Sequence, residues 1–334
     1  MHTPIRVLQI GLGPIGLNIV KLIVQKTTLH LVGAVDIDPI KEGKDVGELA
    51  GIGKIKMSVK SSLDTFLTAK TKKPHVAVVS TISNMEAILP LIQTLVTNGI
   101  YVITTCEELV FPWATKPQQS QALDELAKQH HVAVLATGVN PGFLMDFFPV
   151  SLTAVCPNID NIYVERIQNA QFRRLPFQRK IGMGLTREEF FRQVKNGTLR
   201  HIGLIESVYL IASKLGWKLD HIEDTIEPAI ATKQVFFGDI FIAKGDILGV
   251  TQLCKAFVGD TEVIKLFFKA VIGETEPRDH VIIRGESSME VTIRHGLNGD
   301  VATCSIVVNA IHIIMNAKHG LRTMADIEPI SFYP

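Results

Sequence analysis

The sequence predicts an α/β protein in two parts: a doubly wound parallel sheet, followed by an α+β domain whose sheet is mostly antiparallel. Two observations carry the prediction. The first is an alternation. Short apolar runs rich in Val and Ile, namely IRVLQIG (residues 5–11), HLVGAVD (30–36), HVAVVST (75–81), YVITT (101–105) and HVAVLATG (131–138), are interleaved with helical segments at 14–26, 83–99 and 116–130. Near-continuous apolar runs suit strands buried on both faces, and strand–helix alternation makes those strands parallel. The second is a change of pattern after GVNPGFLMDFFP. In VIKLFFKAVI, Ile264, Leu266, Phe268, Ala270 and Ile272 share one face while Lys265 and Lys269 take the other. That is a strand covered on one side only, as antiparallel sheets allow. The expected division is a first domain over 1–140, a substrate and dimerisation domain over 141–300, and a segment over 301–334. Its helix-like stretch DVATCSIVVNAIHIIMNA (300–317) is expected to pack back on the first domain.

Composition narrows the class. The 334 residues are 46% hydrophobic and 20% charged, with a formal net charge of +1. There is no basic stripe for nucleic acid or an anionic membrane. Cys106, Cys156, Cys254 and Cys304 lie far apart with no CxxC pair. This spacing fits reduced thiols in a cytoplasm rather than a disulfide framework or a zinc site. MHTPIRVLQIGLG offers neither a signal-peptide core nor a membrane span, so a cytoplasmic enzyme-sized protein is expected, with no metal.

GLGPIG, placed between the first strand and the first helix, gives Gly11, Gly13 and Gly16 the dinucleotide-binding spacing of a Rossmann domain, and Asp36 follows at the end of the second strand. Gly11 serves the tight turn, Gly13 admits a pyrophosphate, and Gly16 lets helix and strand approach; Pro14 and Ile15 open the helix whose N-terminus faces the phosphates. Asp36 suits the ribose hydroxyls of NAD, while Lys41 and Lys44 just beyond it suit the 2′-phosphate of NADP, so the cofactor is NAD or NADP. Ser80 and Thr81 end HVAVVST, Cys106 follows YVITT, and Asn140 lies in the turn GVNPGF; all four are expected at the nicotinamide half of the same strand-end crevice. So are two adjacent acids, Glu107 and Glu108, which otherwise read as the start of a solvated loop. If strand geometry continued through both, they would point to opposite sides.

Three ordered blocks then resemble the 2,4-diaminopentanoate dehydrogenase family and the related native amine dehydrogenases: VITTCEEL with TGVNPGF, VERIQNAQFRRLPFQRKIGMG, and HIGLIESVYLIASKLGW. The similarity extends over essentially the whole chain, to GLRTMADI. It implies NAD(P)-dependent oxidative deamination of an amine to a ketone or aldehyde and ammonia, reversible as reductive amination, with a glutamate as acid/base. In the similar homoserine dehydrogenase pattern VVTANK a lysine holds this place, and the alignment puts Glu107 on it. Arg166, Gln168, Asn169, Phe172 and Phe177 of the second block, His201 of the third, and Phe143, Thr303 and Met315 are the pocket candidates. Arg166 reads equally as a structural salt-bridge centre, and His201 as a helix-start residue. Asn169-Ala170-Gln171 stands where the diaminopentanoate pattern has Asp-Ala-Ser, which favours a simpler amine over a diamine. A homodimer is expected. The alternatives are a homoserine dehydrogenase- or dihydrodipicolinate reductase-like oxidoreductase and, in another class, a noncatalytic NAD(P)-binding sensor.

Overall fold

The computed structural model of the protein describes residues 3–69, 72–237 and 240–334. The chain begins β1 (Ile5–Ile10), α1 (Pro14–Gln25), β2 (Leu29–Val35), α2 (Val46–Ala50), α3 (Leu63–Thr68), β3 (Val76–Val79), α4 (Met85–Thr97) and β4 (Tyr101–Thr104). After a 3-10 turn at Glu107–Leu109 come α5 (Pro117–Gln129), β5 (Ala133–Ala136), α6 (Phe147–Leu152), β6 (Asn161–Asn169), α7 (Leu175–Lys180), α8 (Arg187–Lys195) and α9 (Leu204–Leu215). It continues β7 (His221–Ile230), β8 (Val235–Phe237), β9 (Ile240–Ile242), β10 (Ile247–Val258), β11 (Thr261–Val271), β12 (Arg278–Arg284) and β13 (Met289–Arg294), and ends with α10 (Gly299–Ile314) and β14 (Gly320–Arg322).

These elements fall into two compact units. One runs to Phe143 and resumes at Gly299–Pro334; the other is Leu144–Asn298. In the first unit the sheet order is β14-β5-β4-β3-β1-β2, with every pair parallel. β3 and β5 have no exposed side chain, as strands covered by helices on both faces require. Each predicted run ends one or two residues beyond its strand. Consequently Gly11, Asp36, Ser80 and Gly138 are loop residues, all at the carboxyl edge of one sheet. The strand order reverses between β1 and β3, and such a switch point is where open α/β sheets receive ligands. α10 packs on α1 and β4 within this unit, its apolar residues Cys304, Val307, Val308 and Ile311 buried. β14 then pairs with β5 through three residues only, too few for a periodic signal in the sequence.

The second unit's sheet has the order β13-β12-β6-β11-β10-β7 and is antiparallel except where β6 runs parallel to β11. Ile264, Leu266, Phe268 and Ala270 of β11 are buried together with Val250, Cys254 and Ala256 of β10, and α9 covers that face. Burial of each such large side chain contributes about 1.5–3 kcal/mol, enough to fix the register against a one-residue slip. Lys265, Phe267 and Lys269 occupy the opposite face, half-buried. Among the described residues no helix is long and apolar enough to cross a membrane.

Candidate active site

The glycine turn separates residues that the fold itself needs from one that it does not. Gly11 has φ +87°, and a Cβ there would stand 2.5 Å from the Ser80 carbonyl oxygen. A Cβ on Gly16 would stand 1.9 Å from the Gly11 carbonyl oxygen, so helix α1 can approach β1 only with glycine at this position. At Gly13 the backbone is extended, with φ −68°, and nothing lies within 4 Å of a Cβ. Neither backbone conformation nor packing demands glycine there. A ligand seated against the backbone would, and the N-terminus of α1, with Pro14 at its first position and no side-chain cap, has amides that could meet a phosphate. The turn is braced by a residue that sequence reading passed over. Gln9 is fully buried and donates to the carbonyls of Ile10 (3.2 Å) and Gly11 (2.9 Å) and to Ser80 Oγ (2.8 Å). Its signal was a polar residue inside the apolar run VLQI of the strand. Ser80 is consequently a brace as well, its hydroxyl donating to the Gly11 carbonyl at 3.2 Å, whereas Thr81 is exposed.

Asp36 is buried beside this turn and accepts from the amides of Leu12 (2.6 Å) and Asp38 (2.9 Å) and from Lys41 Nζ (3.0 Å). Burial works against its charge, and the amides of Asp38 and Leu12 with the Lys41 ammonium outweigh it, holding the carboxyl below its ordinary range. It is therefore an ionised acceptor whose position is fixed before anything binds. The residues present thus fit a dinucleotide.

The two adjacent acids separate for a reason other than strand alternation. β4 stops at Thr104, and Glu107–Leu109 form a single 3-10 turn, so the expected opposite pointing of strand neighbours does not apply. Glu108 instead spends its carboxylate on the N-terminus of α4. It accepts from the Met85 amide at 2.8 Å and from Asn84 Nδ2 at 3.2 Å, where the helix dipole favours a negative charge. Its own amide donates to the Ser83 carbonyl. Glu107 is the half-buried first residue of the turn.

Cys106 departs from the expected nicotinamide contact. Its side chain is fully buried, its thiol donates to the Ser83 carbonyl at 3.1 Å, and burial, with the Glu107 charge beside it, pushes the thiol up to about 12. It is a clasp between the Glu107 turn and the loop before α4. Asn140 is half-buried in the turn after β5, joined to Pro141 by a cis peptide bond. Thr303 on α10 accepts from the Val139 amide at 3.2 Å and so steadies this turn within the first unit. Phe143, half-buried, is the last residue before the second unit, and Met315 falls just beyond α10.

In the second unit several pocket candidates are consumed by the fold. Arg166 is fully buried, with Nη1 2.7 Å from Asp279 and Nη2 donating to the Leu297 carbonyl at 3.0 Å. Burial lowers its pKa to about 10 in spite of Asp279, so it stays charged, and the salt-bridge reading is the one the geometry favours over a pocket role. Asn169 donates to the Glu274 carbonyl (3.0 Å) and accepts from the amides of Gln171 (2.9 Å) and Gly273 (3.3 Å), tying two turns together. His201 is half-buried, stacked on Phe268 with ring centroids 4.2 Å apart, while its amide donates to Gln252. Burial first, then the charges of Lys180, Arg166 and Arg173, press its pKa well below the usual value, leaving a neutral ring. Gln168 accepts from Arg173, whose guanidinium lies 3.9 Å over the Phe177 ring; Phe177 is buried and Phe172 is 75% exposed. Among the described residues no group of three His, Cys, Asp or Glu is placed to hold a metal ion.

Comparison with known proteins assigns both halves of the chain. Residues 143–332 match the family model of the 2,4-diaminopentanoate dehydrogenase C-terminal domain, and residues 5–138 match that of the dihydrodipicolinate reductase N-terminus. A 2,4-diaminopentanoate dehydrogenase from Acetoanaerobium sticklandii is 28% identical over 97% of this chain and 93% of its own length. A 4-hydroxy-tetrahydrodipicolinate reductase from Methanocaldococcus jannaschii is 30% identical over 39% of this chain and 47% of its own. Among solved structures, the amine dehydrogenase from Mycobacterium smegmatis superposes with a TM-score of 0.88 at 21% identity, covering 99% of this chain and 98% of that one.

Proposed function

Since the chain belongs to the 2,4-diaminopentanoate dehydrogenase family, we propose that it is an NAD(P)-dependent amine dehydrogenase. It converts a small primary amine reversibly to a ketone or aldehyde plus ammonia. The observation that carries the assignment of its acid/base is the division between adjacent acids: Glu108 is committed to the α4 N-terminus, while Glu107 opens the turn at the sheet edge where the cofactor cradle lies. The bound nicotinamide supplies the hydride acceptor in deamination and the donor in amination. Glu107 does the rest of the charge and proton work. Its carboxylate stabilises the iminium cation left on the substrate, takes a proton from the attacking water, and passes protons to the departing ammonia. A carboxylate suits this cationic intermediate, whereas a lysine at the same place suits an alkoxide.

Gly13, the α1 amides and Asp36 bind the dinucleotide, and Asn140 orients its nicotinamide half. Substrate recognition falls to Gln168, Phe172 and Phe177, with His201 as a neutral wall. A homodimer is supported by the open face of the second sheet, where Leu253 and Phe267 stand opposite each other among Lys255, Lys265 and Lys269. Four cysteines without a disulfide support a cytoplasmic setting. The test is a panel of short aliphatic ketones with both reduced cofactors, with and without ammonium. Reduction that depends on ammonium is expected. Equal rates in its absence would make the protein an alcohol dehydrogenase and sink the amine reading.

A further inference from the structure

The segment after β2 is folded back on itself by its own acids. Asp36 Oδ1 accepts from the Asp38 amide, Asp38 Oδ1 accepts from the Ile40 amide at 3.0 Å, and the Lys41 amide donates to the Asp38 carbonyl. This brings Lys41 Nζ 3.0 Å from Asp36 Oδ2 and 3.5 Å from Asp38 Oδ2. Beside this charged knot stand two isoleucines left largely in solvent: Ile37 is 90% exposed and Ile40 72%. Large apolar side chains left in solvent next to a carboxylate that is fixed and ionised are an arrangement for an adenosine, its base on the isoleucines and its ribose on Asp36.

We infer that Lys41 sets the cofactor preference of this site by changing partner: with NAD it stays on Asp36, and with NADP its ammonium passes to the 2′-phosphate. The inference deepens the dinucleotide reading and rests on it. A 2′-phosphate placed next to Asp36 meets a like charge, and Asp38 adds a second acid. A cation already within 3.0 Å of the ribose-binding carboxylate needs only side-chain torsions to reach that phosphate. Asp36 does not depend on the lysine for its place, because the Leu12 and Asp38 amides hold it from both oxygens. Lysine rather than arginine suits the exchange, since a flexible point charge serves either anion without a fixed fork geometry.

The experiment is fluorescence titration of the purified full chain with NADH and NADPH, with no substrate present, for the unmodified protein, Lys41→Met, Lys41→Arg, Asp36→Ser and the Asp36→Ser/Lys41→Met double variant. Lys41→Met should raise the ratio of NADPH to NADH dissociation constants about tenfold, the scale of one charge-assisted hydrogen bond. Lys41→Arg should restore most of the ratio. Asp36→Ser should lower the ratio when Lys41 is present and lower it less when position 41 is methionine, so the two effects are coupled. A ratio that Lys41→Met leaves in place, or purely additive effects in the double variant, overturns the inference alone. Failure of the unmodified protein to bind either dinucleotide overturns the dehydrogenase reading and this inference with it.

Discussion

At Gly13 of the first unit nothing beyond its chain neighbours comes within 4 Å of where a Cβ would stand, whereas in the second unit Arg166 and Asn169 are both spent on neighbours in their own unit. Both regions held candidate ligand contacts in the sequence. The difference between them teaches how to weigh a motif residue: one whose identity the fold does not require points to a ligand, and one whose polar groups the fold consumes points to itself. Glu107 and Glu108 differ in place one residue apart, Glu108 on the start of α4 and Glu107 at the head of the turn. Substitutions at these places can break the comparison or sharpen it.

The largest effect is expected at Glu107. Glu107→Gln keeps size and most hydrogen bonding but loses the charge and the basic oxygen, so turnover should fall by roughly two to four orders of magnitude. NADH affinity, measured by titration, should barely move. An active Glu107→Gln enzyme would end the acid/base assignment.

In the second unit the expected damage is to stability. Asp279→Ala strands the buried Arg166 guanidinium, whose Nε already has no hydrogen-bond partner, and breaking such a pair costs about 3–5 kcal/mol. Replacing both partners by apolar residues, Arg166→Met with Asp279→Leu, should recover much of that loss in urea unfolding. If Asp279→Ala is as stable as the parent while its KM for substrate rises, Arg166 is a substrate ligand after all.

The glycine pair tests the same distinction inside one motif. Gly16→Ala drives a Cβ into the Gly11 carbonyl and should cost about 3 kcal/mol, the upper range for overpacking, seen as a lowered melting temperature. Gly13→Ala meets no protein atom and a permitted backbone, so melting should stay close to the parent while NADH affinity falls about tenfold, the loss of roughly one backbone–phosphate hydrogen bond. A Gly13→Ala protein that binds NADH normally would leave that glycine without a ligand to explain it.

How far the sequence could be read follows the physics of each signal. The five parallel strands and α1, α4 and α5 were legible because their apolar residues recur with one period over enough positions; β14, α2 and α3, with three, five and six residues, carry too little pattern. The glycine turn, Asp36 and the strand-end position of Glu107 were legible from spacing alone. What was not legible is which polar atoms find partners within the fold: Arg166 meets Asp279 across 113 positions, and Glu108 meets Met85 across 23. The partner of Cys106 was hidden for the same reason, since only the structure brings the Ser83 carbonyl to its thiol.

The smallest effect belongs to Glu108, and it is the most discriminating. If this acid only anchors the Glu107 turn to α4, Glu108→Gln keeps an oxygen that accepts from the Met85 amide and loses only the favourable charge at the helix start. That loss is about 0.3–1 kcal/mol, with turnover within a few-fold of the parent. Glu108→Ala removes the acceptor as well, leaving Asn84 as the remaining side-chain cap of α4 through its bond from the Ala87 amide. Its cost should approach that of a lost cap, about 1 kcal/mol, and because the turn is loosened kcat should drop more than KM changes. The measurement is kcat, KM and melting temperature for both variants. Rescue of the alanine defect by glutamine marks Glu108 as an anchor. Equal and severe loss of turnover in both, at unchanged melting temperature, would mean that its carboxylate takes part in the chemistry and that the two acids do not divide the work as their geometry indicates.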